Sequence, residues 1–448
     1  MNIQLSDHFN YRKLLRFTLP SIIMLVFTSI YGVVDGFFVS NFVGKTPFTA
    51  VNFIMPFLMI LGSCGFMFGT GGGALIAKTM GEGNVNKAKH LFSLIVYTSM
   101  VCGIALAFLG IIFLRPLASA LGAEGQLLED SVKYGRIILI AIPAYILQYE
   151  FQCLFATAEK PILGLYVTIA AGFTNMLLDA LFLAVFHWGL EGAAAATGIS
   201  QCVGGIAPLI YFARPNSSLL RLGKTEFDGK SLAKTCINGS SELMNNIAMS
   251  VVSMLYNVQL LRYAGEDGVA AYGVLMYVSM IFQAIFIGYS VGTAPVIGYH
   301  FGAKNNKELK GLLRKSLVLI GAFAVVMFAA SYIFSRPLSV LFVGYDEDLL
   351  SLTVRAFSIF SFSFLFSGFA IFGSSFFTAL NNGLVSAAIS FMRTLVFQIV
   401  AVLIFPLFWK VDGIWMSIVA AEMMAVVVTT VFLRGNQKKY YQQFAECR

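Results

Sequence analysis

Asp35, Asn175, Asp179 and Thr197 are the residues whose types and setting carry chemistry. Asn175 and Asp179 stand four apart in FTNMLLDALF (173–182), so they share one face of any helix built there. Asp35 lies in an equally apolar run. Two carboxylates sharing a site raise the pKa of one of them, and burial raises it further. Such a pair takes up a proton near neutral pH or holds a small cation.

The elements that must position these groups follow from composition. The chain has 448 residues, 58% hydrophobic and 12% charged, against about 25% charged in a soluble domain. That balance cannot coat a water-soluble surface. Apolar runs of about 20 residues, long enough to cross a bilayer as helix, recur between polar breaks. Twelve are expected, near 15–40, 50–77, 91–114, 133–157, 162–186, 191–213, 236–262, 269–299, 316–335, 352–379, 384–408 and 412–433. The expected fold is an all-α integral membrane protein. The run after Arg12, Lys13 and Arg16 is too long for a cleavable signal core and lacks a small-residue cleavage site. The cysteines are scattered without C-x-x-C spacing and read as apolar fillers, forming neither disulfide framework nor zinc site.

The formal charge of +8 is distributed by side. With the loops alternating along twelve spans, the side holding both termini carries 21 of the 30 Lys and Arg, the opposite side 8, and Arg393 alone lies within a span. The positive-inside rule then puts both termini in the cytoplasm, in a plasma or bacterial inner membrane. The charge orients the chain in its membrane and implies no nucleic-acid partner.

The chain repeats at an offset of 221: Gly44 with Gly265, Gly71 with Gly292, Gly81 with Gly302, Phe113-x-Arg115-Pro116-Leu117 with Phe334-x-Arg336-Pro337-Leu338, Ala158 with Ala379, Trp188 with Trp409 and Gly192 with Gly413. Six spans per half, an even number, make the repeats parallel, so two six-helix bundles related by a pseudo-two-fold along the membrane normal are expected. The divisions are 1–213, a polar cytoplasmic linker at 214–235, and 236–448. The interior acids break the repeat: Asp35 aligns with Tyr256, Asp179 with Val400 and Glu242 with Ser21.

An ionised acid at a membrane helix centre costs about 2.5–3.5 kcal/mol on insertion scales. Five fall within the expected spans: Asp35, Glu150, Asp179, Glu242 and Glu422. Counted from the ends of their spans at about 1.5 Å per residue, Asp35, Asn175, Asp179 and Thr197 all come to the outer half of the first bundle. Glu150 and Glu422 read as helix glue, and Arg393 as a partner for an acid. Pro20, fifteen residues before Asp35, removes a backbone hydrogen bond from the first span and permits a kink there. Ion uptake at the acids would then rearrange that span and release substrate.

The chain resembles the multidrug and toxic compound extrusion (MATE) transporters. The resemblance is carried by Pro20 and Asp35, by NMLLD (175–179), by Thr197, and by the matching loops MGEGNVNKAK (80–89) and FGAKNNKELK (301–310). It covers nearly the whole chain and is closest to the bacterial branch with an Asp, Asn, Asp and Thr ion site in the N-terminal lobe. The resemblance implies a twelve-helix antiporter that expels small amphipathic, often cationic compounds against inward H+ or Na+. It implies no cofactor beyond the coupling ion, and a metal at Asp35, Asn175, Asp179 and Thr197 only if that ion is Na+. Other branches place coupling acids on spans 7 and 10. Glu242 matches the first, but the stretch at 352–379 has no interior carboxylate, leaving Glu242 as a counter-charge for substrate. A monomer in lipid is expected.

Other signals are weaker. GTGGGALIAKT (69–79) resembles a phosphate loop but lies in a membrane run, where close helix packing is the better reading. NSS (216–218) and NGS (238–240) fit the glycosylation sequon on the side expected to be cytoplasmic. The alternative function is a lipid-linked oligosaccharide flippase of the same superfamily, which needs a cationic cavity. A major facilitator lacks its loop signature here, and no metal cluster or nucleophile–base pattern supports an enzyme.

Overall fold

A computed structural model of the chain describes residues 3–43, 45–344 and 346–442. Gly44, which the repeat aligns with Gly265, lies outside the described residues. The described residues form thirteen α-helices: α1 Tyr11–Phe42, α2 Lys45–Gly81, α3 Val85–Ala120, α4 Gly125–Thr157, α5 Pro161–Asp179, α6 Gly189–Ala213, α7 Gly229–Gly302, α8 Asn306–Ile333, α9 Ser335–Val343, α10 Glu347–Phe360, α11 Phe364–Ala379, α12 Gly383–Phe391 and α13 Phe397–Gln442. Two π-helical stretches, Ala180–Val185 and Met392–Val396, continue α5 and α12, and a 3-10 turn at Ser361–Ser363 joins α10 to α11.

Among the described residues, ten helical stretches are long and apolar enough to cross a membrane. Two exceed what one crossing needs. Helix α7 runs 74 residues, about 110 Å if straight, against a hydrocarbon core of about 30 Å. It is broken at Gly265, whose φ of 66° and ψ of −155° suit glycine. Helix α13 is broken the same way at Lys410 (φ 49°). Both breaks fall in gaps left between expected spans. Two features differ from expectation. Helix α9 is separate, because the second F-x-R-P-L begins at the junction Phe334, whereas the first lies within α3. The helical path of α7 also starts at Gly229, so the last residues of the expected linker are helical.

The repeat is visible in the turns. The two matching loops use one device: Asn84 accepts from Lys87 N and Asn305 from Glu308 N, each capping the next helix. Left-handed residues recur at 83 and 304, 159 and 381, and 187 and 410. The offset therefore drifts from 221 to 223 along the halves instead of staying constant.

The halves meet through glycine. A Cβ on Gly81 would fall 2.0 Å from Tyr299 O, and one on Gly302 would fall 2.0 Å from Lys78 O. Only a residue without a side chain lets the backbones of α2 and the second part of α7 touch there. Gly71 and Gly239 repeat the arrangement between α2 and the first part of α7. The GTGGG stretch is thus a packing surface. These contacts seal the two halves near the face that holds the N-terminus, called here the terminal face.

The N-terminal segment reinforces that seal. Leu5 and Phe9 are fully buried. Leu5 N donates to Glu159 of the first half at 2.6 Å, and Phe9 N donates to Glu308 of the second at 2.9 Å. Lys315 donates to Phe9 O and lies 3.8 Å from Glu308, which also pairs with His8 at 2.6 Å. Burial pushes the Glu159 carboxyl above its usual range, against the Leu5 hydrogen bond. The linker lies along the first half: Ser218 donates to Ala158 O, Gly223 N to Ser93, and Thr225 to His90 O.

Candidate functional site

Asp35, Asn175, Asp179 and Thr197 come together. Asp35 Oδ1 accepts from Asn175 Nδ2 at 3.4 Å and from Thr197 Oγ1 at 3.3 Å. Asp179 is fully buried beside Asp35. The helices reach this register through small residues. Gly172 on α5 lets the Phe27 and Tyr31 rings of α1 approach, one turn before Asn175 and Asp35. Gly205 on α6 takes the Ala144 carbonyl of α4, and Gly198 meets Ala141. Asp179 is the last α-helical residue before the π stretch, a local widening common at functional positions.

The cluster holds more acceptors than donors. Both oxygens of Asp179 and Oδ1 of Asn175 are buried without a hydrogen-bond partner. Buried polar atoms are ordinarily paired, so such a surplus calls for a bound proton or cation. Asp35 and Thr197 keep partial exposure while Asn175 and Asp179 are buried, so the group has an accessible side. Two carboxyls with amide and hydroxyl oxygens suit a proton or a hard monovalent cation. Among the described residues no group of three His, Cys, Asp or Glu is placed to hold a metal ion.

Sequence reasoning missed Tyr134. Its buried hydroxyl sits beside Thr197, Asp35 and Asp179 without a hydrogen-bond partner. The chain has 18 tyrosines, and nothing in local sequence separates this one.

A cavity of about 470 Å³ lies between the halves. The first half lends Phe66, Thr70 and Thr157, and the second lends Glu242, Arg393 and Glu422 among others. None of the four ion-site residues lines it. Aromatic packing links the two places: Phe66 of the cavity wall stacks on Tyr149 at 4.3 Å, Tyr149 and Tyr145 hydroxyls lie 2.8 Å apart, and Gln148 reaches Tyr31, one turn from Asp35.

The remaining expected residues find definite places. Glu242 is a cavity residue near Asn245 and Arg393. Arg393 Nε donates to Glu422 Oε2 at 2.9 Å, a pairing across 29 residues. Glu150 is buried and accepts from Ser99, tying α4 to α3. Pro20 is buried in an α1 that runs unbroken through it, on the side where Gly288 and Gly292 of α7 pack against residues 18–22. The five described cysteines are free.

A family profile described as MatE matches the chain twice, over residues 20–181 and 243–404. The chain belongs to the MATE (MatE) family. Its MATE relatives include the multidrug export protein MepA of Staphylococcus haemolyticus (strain JCSC1435), 24% identical over 93% of this chain and 91% of that one. MepA of Staphylococcus aureus (strain MSSA476) is 22% identical over 94% and 93%. Among solved structures, a MATE in complex with MaL6 superposes with a TM-score of 0.92 at 20% identity, covering 97% of this chain and 98% of that one. An outward-facing multidrug resistance MATE transporter of the MOP superfamily gives 0.93 at 20% identity, covering 98% and 99%. Membership makes this MATE chain a multi-pass membrane transporter and not an enzyme.

Proposed function

We propose that this MATE protein is a secondary-active antiporter that exports amphipathic organic cations in exchange for inward H+ or Na+. Its unit is a pair of six-helix bundles, residues 1–213 and 236–448, joined by the linker at 214–235. The breaks at Gly265 and Lys410 would bring ten long stretches to twelve crossings. The double match of the family profile supports a parallel repeat. The excess of basic residues supports cytoplasmic termini. The terminal face is then the cytoplasmic face, and the glycine seam makes this conformer one closed to the cytoplasm.

The observation that carries the proposal is the orphaned set of acceptor oxygens at Asn175 and Asp179, beside the Asp35 carboxylate. A proton or Na+ satisfies them, and its arrival and departure would switch the local packing of α1, α5 and α6. The Tyr31, Gln148, Tyr149 and Phe66 contacts offer a physical route to the cavity, where Glu242 meets the cationic part of a substrate. The flippase reading is weaker: Arg393 is the sole Lys or Arg among the described residues lining the cavity, and Glu422 already pairs with it.

The test is dye efflux from proteoliposomes with pH and sodium gradients imposed separately. The wild type is expected to expel ethidium under one of them. Asp35→Asn and Asp179→Asn, folded by gel filtration, are expected to lose gradient-driven efflux by about 5- to 150-fold, the usual range of a coupling free energy. Efflux by either variant at the wild-type rate would remove the site from the mechanism.

A further inference from the structure

Three charged side chains line the cavity among the described residues: Glu242, Arg393 and Glu422. They do not stand equally. Arg393 and Glu422 are buried to 9% and 4% exposure and joined by a 2.9 Å hydrogen bond, so their charges cancel locally. Glu242, on α7, is more exposed, and within hydrogen-bonding range it has the Asn245 amide. The rest of the wall among the described residues is uncharged, with aliphatic and thioether groups such as Val252, Ile287 and Met249 facing hydroxyls such as Ser374 and Ser390. With all three groups ionised, the cavity carries one uncompensated negative charge.

The placement of Arg393 makes this count deliberate in physical terms. It sits within a π-helical stretch, where one inserted residue re-aims the side chain. Its guanidinium is fixed through Nε, and it also acts electrostatically on Glu242. Removing it would leave two carboxylates facing one cavity with largely apolar walls, where charges interact more strongly than in water.

We infer that Arg393 is a specificity-determining residue that sets the charge accepted by the cavity, favouring monovalent over divalent organic cations. This rests on the proposed export of organic cations and names their valence. One bound monocation neutralises the excess charge. A dication overshoots it, and its second charge is repelled by Arg393. The same side chain therefore admits one class and discriminates against a near-identical ring system carrying one more charge.

Ethidium and propidium share their ring system, and propidium bears a longer N-substituent with a second positive charge, so the change in their efflux ratio among variants of differing cavity charge reads valence. Wild-type proteoliposomes are expected to favour ethidium. Arg393→Gln shifts the ratio toward propidium by about tenfold, the order expected for one unit charge in a partly shielded cavity. Arg393→Lys keeps the charge and the wild-type ratio. The double change Arg393→Gln with Glu422→Gln restores the count and the wild-type ratio, which guards against a misfolded single variant. Glu422→Gln alone moves the ratio further toward ethidium. A merely structural role for the pair would lower both dyes together and leave the ratio fixed. An unchanged ratio in Arg393→Gln, or a double variant that resembles the single one, overturns the inference. Failure of the wild type to expel either dye under any gradient would instead overturn the proposed function.

Discussion

Replacing Gly81 by alanine should loosen the terminal-face seal by a calculable amount. A Cβ there would stand 2.0 Å from Tyr299 O, whereas ordinary contact begins at 3.4 Å, so the backbones must part by about 1.4 Å. The opposing atom is a helix carbonyl and cannot swing aside as a long side chain would. Overpacking of this kind costs about 1–3 kcal/mol. The cost applies in the sealed state alone, because the contact is absent once the halves separate. It therefore appears as a shift of about 5- to 150-fold toward the state open at this face. The assay uses His300→Cys, at a position 3% exposed near the seam, in a background without other cysteines. Labelling by a membrane-impermeant maleimide from the terminal side of oriented vesicles should accelerate within that range. Gly273→Ala, where a Cβ meets nothing within 4 Å, should leave the rate unchanged. A folded Gly81→Ala protein that labels as the parent does would refute the seam as the closed gate.

Two further outcomes follow from the same geometry. The unpartnered Tyr134 hydroxyl stands beside both acids and is placed to donate to them during the cycle; one such hydrogen bond is worth about 0.5–1.5 kcal/mol, so Tyr134→Phe, which keeps the ring, should lower ion-driven ethidium efflux about 2- to 12-fold. Efflux at the parental rate would take Tyr134 out of the site. Glu308→Ala strips the acceptor from Phe9 N and the partner from His8 and Lys315, so protease cleavage of the first ten residues should become faster, by a factor that 1–3 kcal/mol of lost hydrogen bonding allows, about 5- to 150-fold. Unchanged cleavage would mean that apolar burial of Leu5 and Phe9 alone holds the segment.

Much of the fold is legible in the sequence because a bilayer constrains it so tightly. Apolar runs of membrane length mark helices, and the breaks at Gly265 and Lys410 fall in polar gaps that the order of residues already marks. The grouping of Asp35 with Asn175, Asp179 and Thr197 is legible from helix periodicity and depth, which align residues far apart in sequence on neighbouring helices. Depth and periodicity do not say how one helix is turned toward its neighbours. Hence Tyr134 goes unseen, although it lies on the adjacent α4, and Arg393 is expected to pair without its partner Glu422 being named. The π stretches are illegible for a similar reason: one extra residue per turn leaves no compositional mark. The seat of Leu5 and Phe9 depends on Glu159 and Glu308, and a polar terminus ahead of the first span looks much the same whether docked or free.

That seat has a consequence for biogenesis. Phe9 leaves the ribosome well before its acceptor Glu308, which is synthesised 299 residues later. Until then the segment has half of its berth, at Glu159, and its aromatic side chain lacks the His300 ring that later packs against it. The segment holding Leu5 and Phe9 is thus among the last parts to settle, and its settling reports that both halves have been made and brought together. A fragment ending before α8 would carry an unburied hydrophobic tip, so co-expressed halves should associate more cleanly when the second includes residue 308.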